Sequence, residues 1–179
     1  GIFGGTNTVS LAAGGTTRLT AGTGVNINGT LAVTGAITST SNLTIADKII
    51  HAGDTDTSVR FPSDNTISFE TNSGEALRVS STRRLLLGTT SQRSVAVGDS
   101  KLQIENSTYE ALSVVTTAAD DLGTQIALGK TRNGAIIQDD DSLGKLSFAG
   151  DDGTDLNSIA AKIEAFVDGT PGSNDMPGR

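Results

Sequence analysis

The sequence has no cysteine and no tryptophan, one tyrosine, one histidine and three prolines among 179 residues. Without cysteine no disulfide can staple a small core, so the redox compartment is not legible, and thiol nucleophiles and Cys-based metal centres are excluded. Aromatic residues make up 3% and the hydrophobic set 35%, poor for a soluble domain. A single chain with so few large side chains has little area to bury against its conformational entropy. The remedies left are association with other chains, or a repetitive architecture whose neighbours share a core. No apolar run approaches the roughly 18 residues of a membrane span, so no membrane insertion is expected. No charged-then-apolar leader opens the chain. It begins at Gly1, not Met, as a fragment or a processed chain would. The net charge of −7, with Arg83–Arg84 as the sole basic pair, points away from nucleic acid.

What is present is glycine, 22 residues of it, mixed with Ser, Thr, Asn and Asp. Such a composition suits disorder. Yet β-branched and aliphatic residues recur evenly in short alternating runs, which suits strands better. Residues 1–46 form a Gly/Thr/Ser-rich repetitive shaft. Small apolar peaks at Val9, Leu11, Leu19, Val25, Ile27, Leu31, Val33, Ile37, Leu43 and Ile45 are separated by Gly14–Gly15, Gly22, Gly24, Gly29 and Gly35. The repeat is irregular and matches no named solenoid. Residues 47–97 form a β-rich module: "KII", "SVRF", "TISFE", "ALRV" and "RLLLGTT" are strands, and "PSDN" and "TNSGE" are turns. In "TISFE", Ile67 and Phe69 share one face, and Ser68 and Glu70 the other.

Residues 98–179 continue with "KLQIE", "ALSVV", "TQIALG" and "AIIQ", the last two joined by a hairpin turn at Arg132–Gly134. "KLSF" then faces "IAAKIEAFV". That segment fits a helix on Leu156, Ile159, Ile163 and Phe166, but its alternation of Ile159, Ala161, Ile163, Ala165 and Val167 favours a strand. "DGTPGSNDMPGR" closes the sequence as a turn-rich loop. The fold class expected is all-β, with short strands and little or no helix, which removes the nucleotide and cofactor folds that need helices beside strands.

Candidate chemistry is sparse. "IIHAGDTDTSVRF" holds the lone His51 with Asp54, Asp56 and Arg60. A histidine site needs a nucleophile or a second ligand oriented by a third group, and neither is supplied. The stretch reads as a polar turn, with Arg60 paired to an aspartate. "GTQIALGKT" places five residues between Gly123 and Gly129 where a phosphate loop needs four, and its alternation is that of a strand. In "AGTGVNING", Ile27 stands where a dinucleotide fingerprint needs its third glycine. Asp139, Asp140, Asp141, Asp151, Asp152 and Asp155 could offer oxygens to calcium or magnesium, but their spacing matches no EF-hand. Solvated turns are the plainer reading. Asn28, Asn42 and Asn106 each begin an Asn-X-Thr triplet, a pattern that chance supplies in a chain this rich in Asn and Thr. No catalytic, cofactor or metal residue is assigned.

Two stretches carry a resemblance. "NLTIADKIIHAGDTDTSVRFPSDNTISFETNSGEALRVSSTRRLLLGTT" is similar to a recurring segment of tail fibre proteins of tailed bacteriophages, marine and cyanobacterial ones especially. "LGKTRNGAIIQDDDSLGKLSFAGDDGTDLNSIAAKIEAFVDGTPGSNDMPGR" resembles a second such segment, and "DGTPGSNDMPGR" is the most specific string. In those relatives the chain runs on into a further strand, so this sequence looks truncated within its last module. They carry "SSGRLLVGT" where this chain has "STRRLLLGTT"; Arg83 replaces the turn glycine, which counts against a tight turn there.

The resemblance implies an elongated homotrimeric fibre of intertwined short strands with small β-sandwich-like modules, extracellular and part of the virion. It would join tail or baseplate proteins to a tip that meets a host glycan or receptor, without catalysis. The rivals are a receptor-binding module gripping host polysaccharide itself, and the stalk of a bacterial trimeric adhesin or injection-system fibre. A depolymerising tailspike is a further option, with Asp151, Asp152 and Asp155 as its loose acid candidates.

Overall fold

The structure is a computed structural model that describes residues 12–13, 16–17, 26–96 and 98–179. Among these the chain is all-β, with no helix. The apolar peaks expected at Val9, Leu11, Leu19 and Val25 lie outside the described residues. The chain divides into two compact units, Gly1–Leu43 and Thr44–Arg179. In the first, β1 (Ala12–Ala13) pairs antiparallel with β2 (Thr16–Thr17), and the side chains of Ile27, Leu31, Val33 and Ile37 stand exposed.

The second unit is built on a six-stranded sheet. Its strands are β3 (Lys48–His51), β4 (Asp54–Arg60), β5 (Ile67–Thr71), β6 (Gly74–Val79), β7 (Leu85–Leu87) and β8 (Leu102–Ile104), in sheet order β3-β4-β5-β6-β7-β8. The first five form an antiparallel meander. The last pair is parallel, which requires a crossover, and the intervening residues cross one face of the sheet. The sheet thus takes its last strand from beyond residue 98.

Turn chemistry fixes the meander. Gly53 (φ +82°) closes β3 onto β4. Asn72 and Ser73, both at positive φ, make the two-residue turn between β5 and β6. The third turn corrects the expectation drawn from Arg83. Arg83 N–H donates to the Ser80 carbonyl at 2.8 Å and Ser80 N–H to the Arg84 carbonyl at 2.9 Å, with Arg83 itself at φ +62°. The tight turn forms because the pairing of β6 with β7 on either side imposes it, and Arg83 bears the left-handed conformation. Arg83→Gly is therefore expected to raise stability by about 1 kcal/mol, the left-handed strain removed less the entropy glycine adds to the unfolded chain. A urea denaturation midpoint at or below that of the parent would refute this. Past β7, Gly88 sits at φ +71°, where an added Cβ would run into the Glu105 carbonyl oxygen. Glycine there lets β8 come in beside β7, where the Glu105 N–H reaches the Leu87 carbonyl at 2.9 Å.

The remaining pair is β9 (Ser142–Gly150) with β10 (Ser158–Phe166), antiparallel, with Leu146 opposite Ile163 and Lys145 opposite Glu164. The strand reading of this segment holds over the helical one. The Arg132–Gly134 turn also forms, with Asn133 and Gly134 at positive φ and Arg132 and Ala135 exchanging backbone hydrogen bonds of 3.3 and 2.9 Å. The strands expected around it do not. "ALSVV", "TQIALG" and "AIIQ" run without a ladder among the described residues. Alternation gives a segment two faces, but a strand also needs a neighbour, and the described residues supply none.

The closing "DGTPGSNDMPGR" folds back. Phe166 and Arg179 exchange backbone hydrogen bonds of 3.0 Å, and Val167 N–H reaches the Asp141 carbonyl at 2.9 Å. Among the described residues the buried hydrophobic side chains are Leu86, Ile137 and Val167. For a unit of this length that is a very thin core.

Candidate association surface

The six-stranded sheet has two unlike faces, and register defines them. Ile49, Val59, Phe69, Leu77, Leu87 and Ile104 are successive cross-strand partners, one from each strand. A second row on the same face joins Ile67, Val79, Leu85 and Leu102, since positions two apart on a strand share a face. The opposite face carries Lys48, Arg60, Ser68, Arg78, Leu86 and Gln103 in one row.

Burial inverts the usual order. Ser68 is 0% exposed, whereas Phe69 beside it is 44%, Ile49 54% and Leu102 51% exposed. The polar face is covered by the crossover that follows Gly88. Arg78 Nη1 donates to the Thr90 carbonyl at 3.3 Å, and the Gln103 side chain accepts from Arg93 N–H at 3.0 Å while donating to the Ser91 carbonyl at 3.4 Å. Irregular backbone lying on a sheet brings unpaired N–H and C=O groups with it. Arg78 and Gln103 satisfy some of them, which apolar side chains could not, while the equally buried Ser68 hydroxyl has no hydrogen-bond partner among the described residues. An ion pair and a hydrogen bond complete this face: Arg78 binds Glu75 through two 2.7 Å hydrogen bonds, and Ser58 Oγ donates to Glu70 at 2.9 Å.

Among the described residues nothing covers the apolar face at Ile49, Ile67, Phe69, Val79 and Leu102. Ile45, Phe61, Ile67 and Val79 extend it into an open groove of about 730 Å³. The β9–β10 hairpin repeats the division. Leu146, Phe148, Ala161 and Ile163 share one face, with Leu146, Phe148 and Ile163 exposed. On the other, Glu164 takes hydrogen bonds from Lys162 at 2.6 Å and Ser142 at 2.8 Å, with Lys145 at 3.2 Å. Exposed contiguous apolar faces of this kind mark association surfaces.

The residues singled out from sequence do not converge. Exposed His51 lies 3.9 Å from Asp54 across the first turn. Arg60 pairs with Asp47 at 2.8 Å, and with Glu70 at 3.4 Å. Asp139 accepts from Gly169 N–H, while Asp140 binds Arg179 at 2.5 Å. Asp151, Asp152 and Asp155 each accept backbone N–H bonds within their own turn, and Asp152 also takes one from Ser158 Oγ at 2.7 Å. Among the described residues no group of three or more acidic or histidine side chains is placed to hold a metal ion, and no helix is long and apolar enough to cross a membrane. Gly123 and Gly129 have open space where a side chain would stand, so no close backbone approach fixes either as glycine.

Asp141 is the exception within its aspartate run. It is 8% exposed and accepts from Arg132 at 2.7 and 2.9 Å, Lys130 at 2.8 Å and the Gln138 N–H at 2.8 Å. These donors, Arg132 first and then Lys130, hold its carboxyl far below the ordinary carboxylate range. Lys162 and then Ser142 likewise draw Glu164 from 4.5 down to about 2. Sequence shows Lys130 and Arg132 a few residues before an acidic run, but not which aspartate turns inward. Both carboxyls titrate lower in the fold than in the unfolded chain, so their stabilisation is complete above about pH 4.5 and is lost as pH falls toward 2. Thermal melting is expected to be flat from pH 8 to 6 and to fall steeply below pH 4.5. Replacing Asp141 and Glu164 by Asn and Gln should flatten that acid limb; an unchanged limb would refute the assignment.

Compared with protein family models, with curated proteins and with solved structures, the chain matches none.

Proposed function

We propose that this chain is the stalk segment of a homotrimeric bacteriophage tail fibre, a mechanical element without catalysis. One observation carries the reading most strongly. Within its apolar row the six-stranded sheet leaves Ile49 and Phe69 exposed and Val59, Leu77, Leu87 and Ile104 half-buried, while Ser68, Leu86 and Gln103 in the opposite row are buried. An isolated protein gains nothing from that arrangement, whereas a chain whose partner supplies the missing half of the core requires it. The resemblance of the two sequence segments to phage tail fibres supplies the kind of assembly. Three copies joined through the apolar faces would bury what one leaves exposed and would put the charged turns outside. Stiffness and reach follow from the assembly, and several identical tips at its end would add weak host contacts through avidity.

Size-exclusion chromatography with light scattering tests the oligomer. The expected mass is three times the 18.2 kDa of the chain, and a folded monomer at micromolar concentration would end the proposal. Electron microscopy of antibody-decorated virions tests the location, with label expected along fibres and not on capsids.

A further inference from the structure

The dipeptide Asn-Gly occurs twice in the chain, at Asn28–Gly29 and at Asn133–Gly134. It is chemically special, because the backbone nitrogen of the second residue can attack the side-chain carbon of the first and close a succinimide ring. Glycine has no side chain to shield that nitrogen, and its backbone turns freely enough to bring it close. Both pairs are exposed, so access to water does not separate them. Backbone geometry does.

Asn133 and Gly134 are locked. They stand at φ +51° and +86° in a turn closed by backbone hydrogen bonds of 3.3 and 2.9 Å between Arg132 and Ala135. The Gly134 N–H, the group that would have to give up its proton, donates to Thr131 Oγ1 at 3.0 Å. That hydroxyl donates in turn to the Ala135 carbonyl at 3.2 Å, which keeps its lone pairs for Gly134. The Arg132 side chain is tied to buried Asp141 at 2.7 and 2.9 Å. For attack, the Gly134 nitrogen must leave Thr131 and swing towards Asn133 Cγ, so the turn has to open first.

Asn28 and Gly29 are held differently. The chain bends there outside any strand and without a hydrogen-bonded turn, and Gly29 sits at φ +135°. Among the described residues nothing lies within 4 Å of the position that a Cβ on Gly29 would take.

We infer that Asn28 is a site of spontaneous deamidation and that the Thr131 hydroxyl protects Asn133 from the same reaction. The Gly29 nitrogen loses its proton and bonds to Asn28 Cγ. The Cγ–Nδ2 bond then breaks, and the side-chain nitrogen leaves as ammonia. Water opens the succinimide at either carbonyl, which leaves an aspartate or an isoaspartate at that position. Water is the only co-reactant. Each event adds a negative charge to the −7 of the chain, and the isoaspartate form lengthens the main chain by a methylene.

Peptide mapping by tandem mass spectrometry, after incubation of the folded protein at mildly alkaline pH, tests this. The peptide holding Asn28 should gain the mass difference between an amide and an acid. Its conversion should quicken as pH rises, because the attacking nitrogen must be deprotonated, while the peptide holding Asn133 stays unchanged. Thr131→Ala should raise the rate at Asn133 about fivefold, the worth of one hydrogen bond, with sheet circular dichroism retained. Thr131→Ser keeps the hydroxyl and should keep the protection. In urea, where the turn is gone, the two sites should convert at similar rates. Equal rates at Asn28 and Asn133 in the folded protein would overturn the inference. So would a rate at Asn133 indifferent to Thr131→Ala, or a difference between the sites that survives in urea.

Discussion

On the trimeric reading, Phe69→Glu is expected to leave a folded monomer in place of the trimer. Phe69 lies in the six-residue apolar row, between Val59 and Leu77. It is 44% exposed in the single chain, so replacing it costs the fold of one copy little. At a threefold interface the same change acts three times. A buried aromatic near the centre of an interface contributes about 2 kcal/mol or more per copy. Three copies make about 6 kcal/mol, roughly four orders of magnitude in the association constant, before the repulsion of three buried carboxylates is counted. Light scattering should report the monomer mass at concentrations where the parent is trimeric, with sheet circular dichroism unchanged. A trimer of parental stability would mean that the apolar face is not the interface.

Leu86→Ala should do the reverse and damage the single copy. Leu86 is 1% exposed and stands on the polar face, between Arg78 and Gln103 in the row under the crossover. It is one of very few large side chains that the described chain fully buries. Truncating a buried leucine costs about 2–5 kcal/mol, against a total of about 5–15 kcal/mol for a whole domain. The urea midpoint at fixed protein concentration should fall accordingly, and the crossover from 88 to 96 should lose its exchange protection first. Concentration must be held constant because association itself stabilises the folded chain. A loss under about 1 kcal/mol would show that the crossover stays in place without that side chain. Taken together, the pair separates fold from assembly: Phe69→Glu changes mass and spares the sheet, whereas Leu86→Ala weakens the sheet whatever the mass.

Much of this is visible in the residues. The absence of cysteine and the scarcity of aromatics announce a chain with little large apolar side chain to bury. Alternation in "TISFE" separates Ile67 and Phe69 from Ser68 and Glu70, and the 142–150/158–166 hairpin follows from alternation over the helical alternative. The Asn133–Gly134 turn is plain from its residue types. The tight turn at Arg83 was hidden, because residue preference spoke against it and the flanking strands overrode it. That "ALSVV" and "TQIALG" form no ladder among the described residues was hidden for a related reason. Alternation describes sidedness within a segment, whereas a strand depends on a neighbour that local pattern does not contain.

The sequence by itself determined the β class, most turns and the shortage of burial, because each depends on residue type and on spacing within a few positions. Only the tertiary structure decided which face of the sheet turns inward. That choice belongs to the crossover after Gly88, whose backbone takes the Arg78 and Gln103 side chains as partners. Among the described residues the apolar row is thereby left half-buried to exposed, and on the trimeric reading another copy completes its burial.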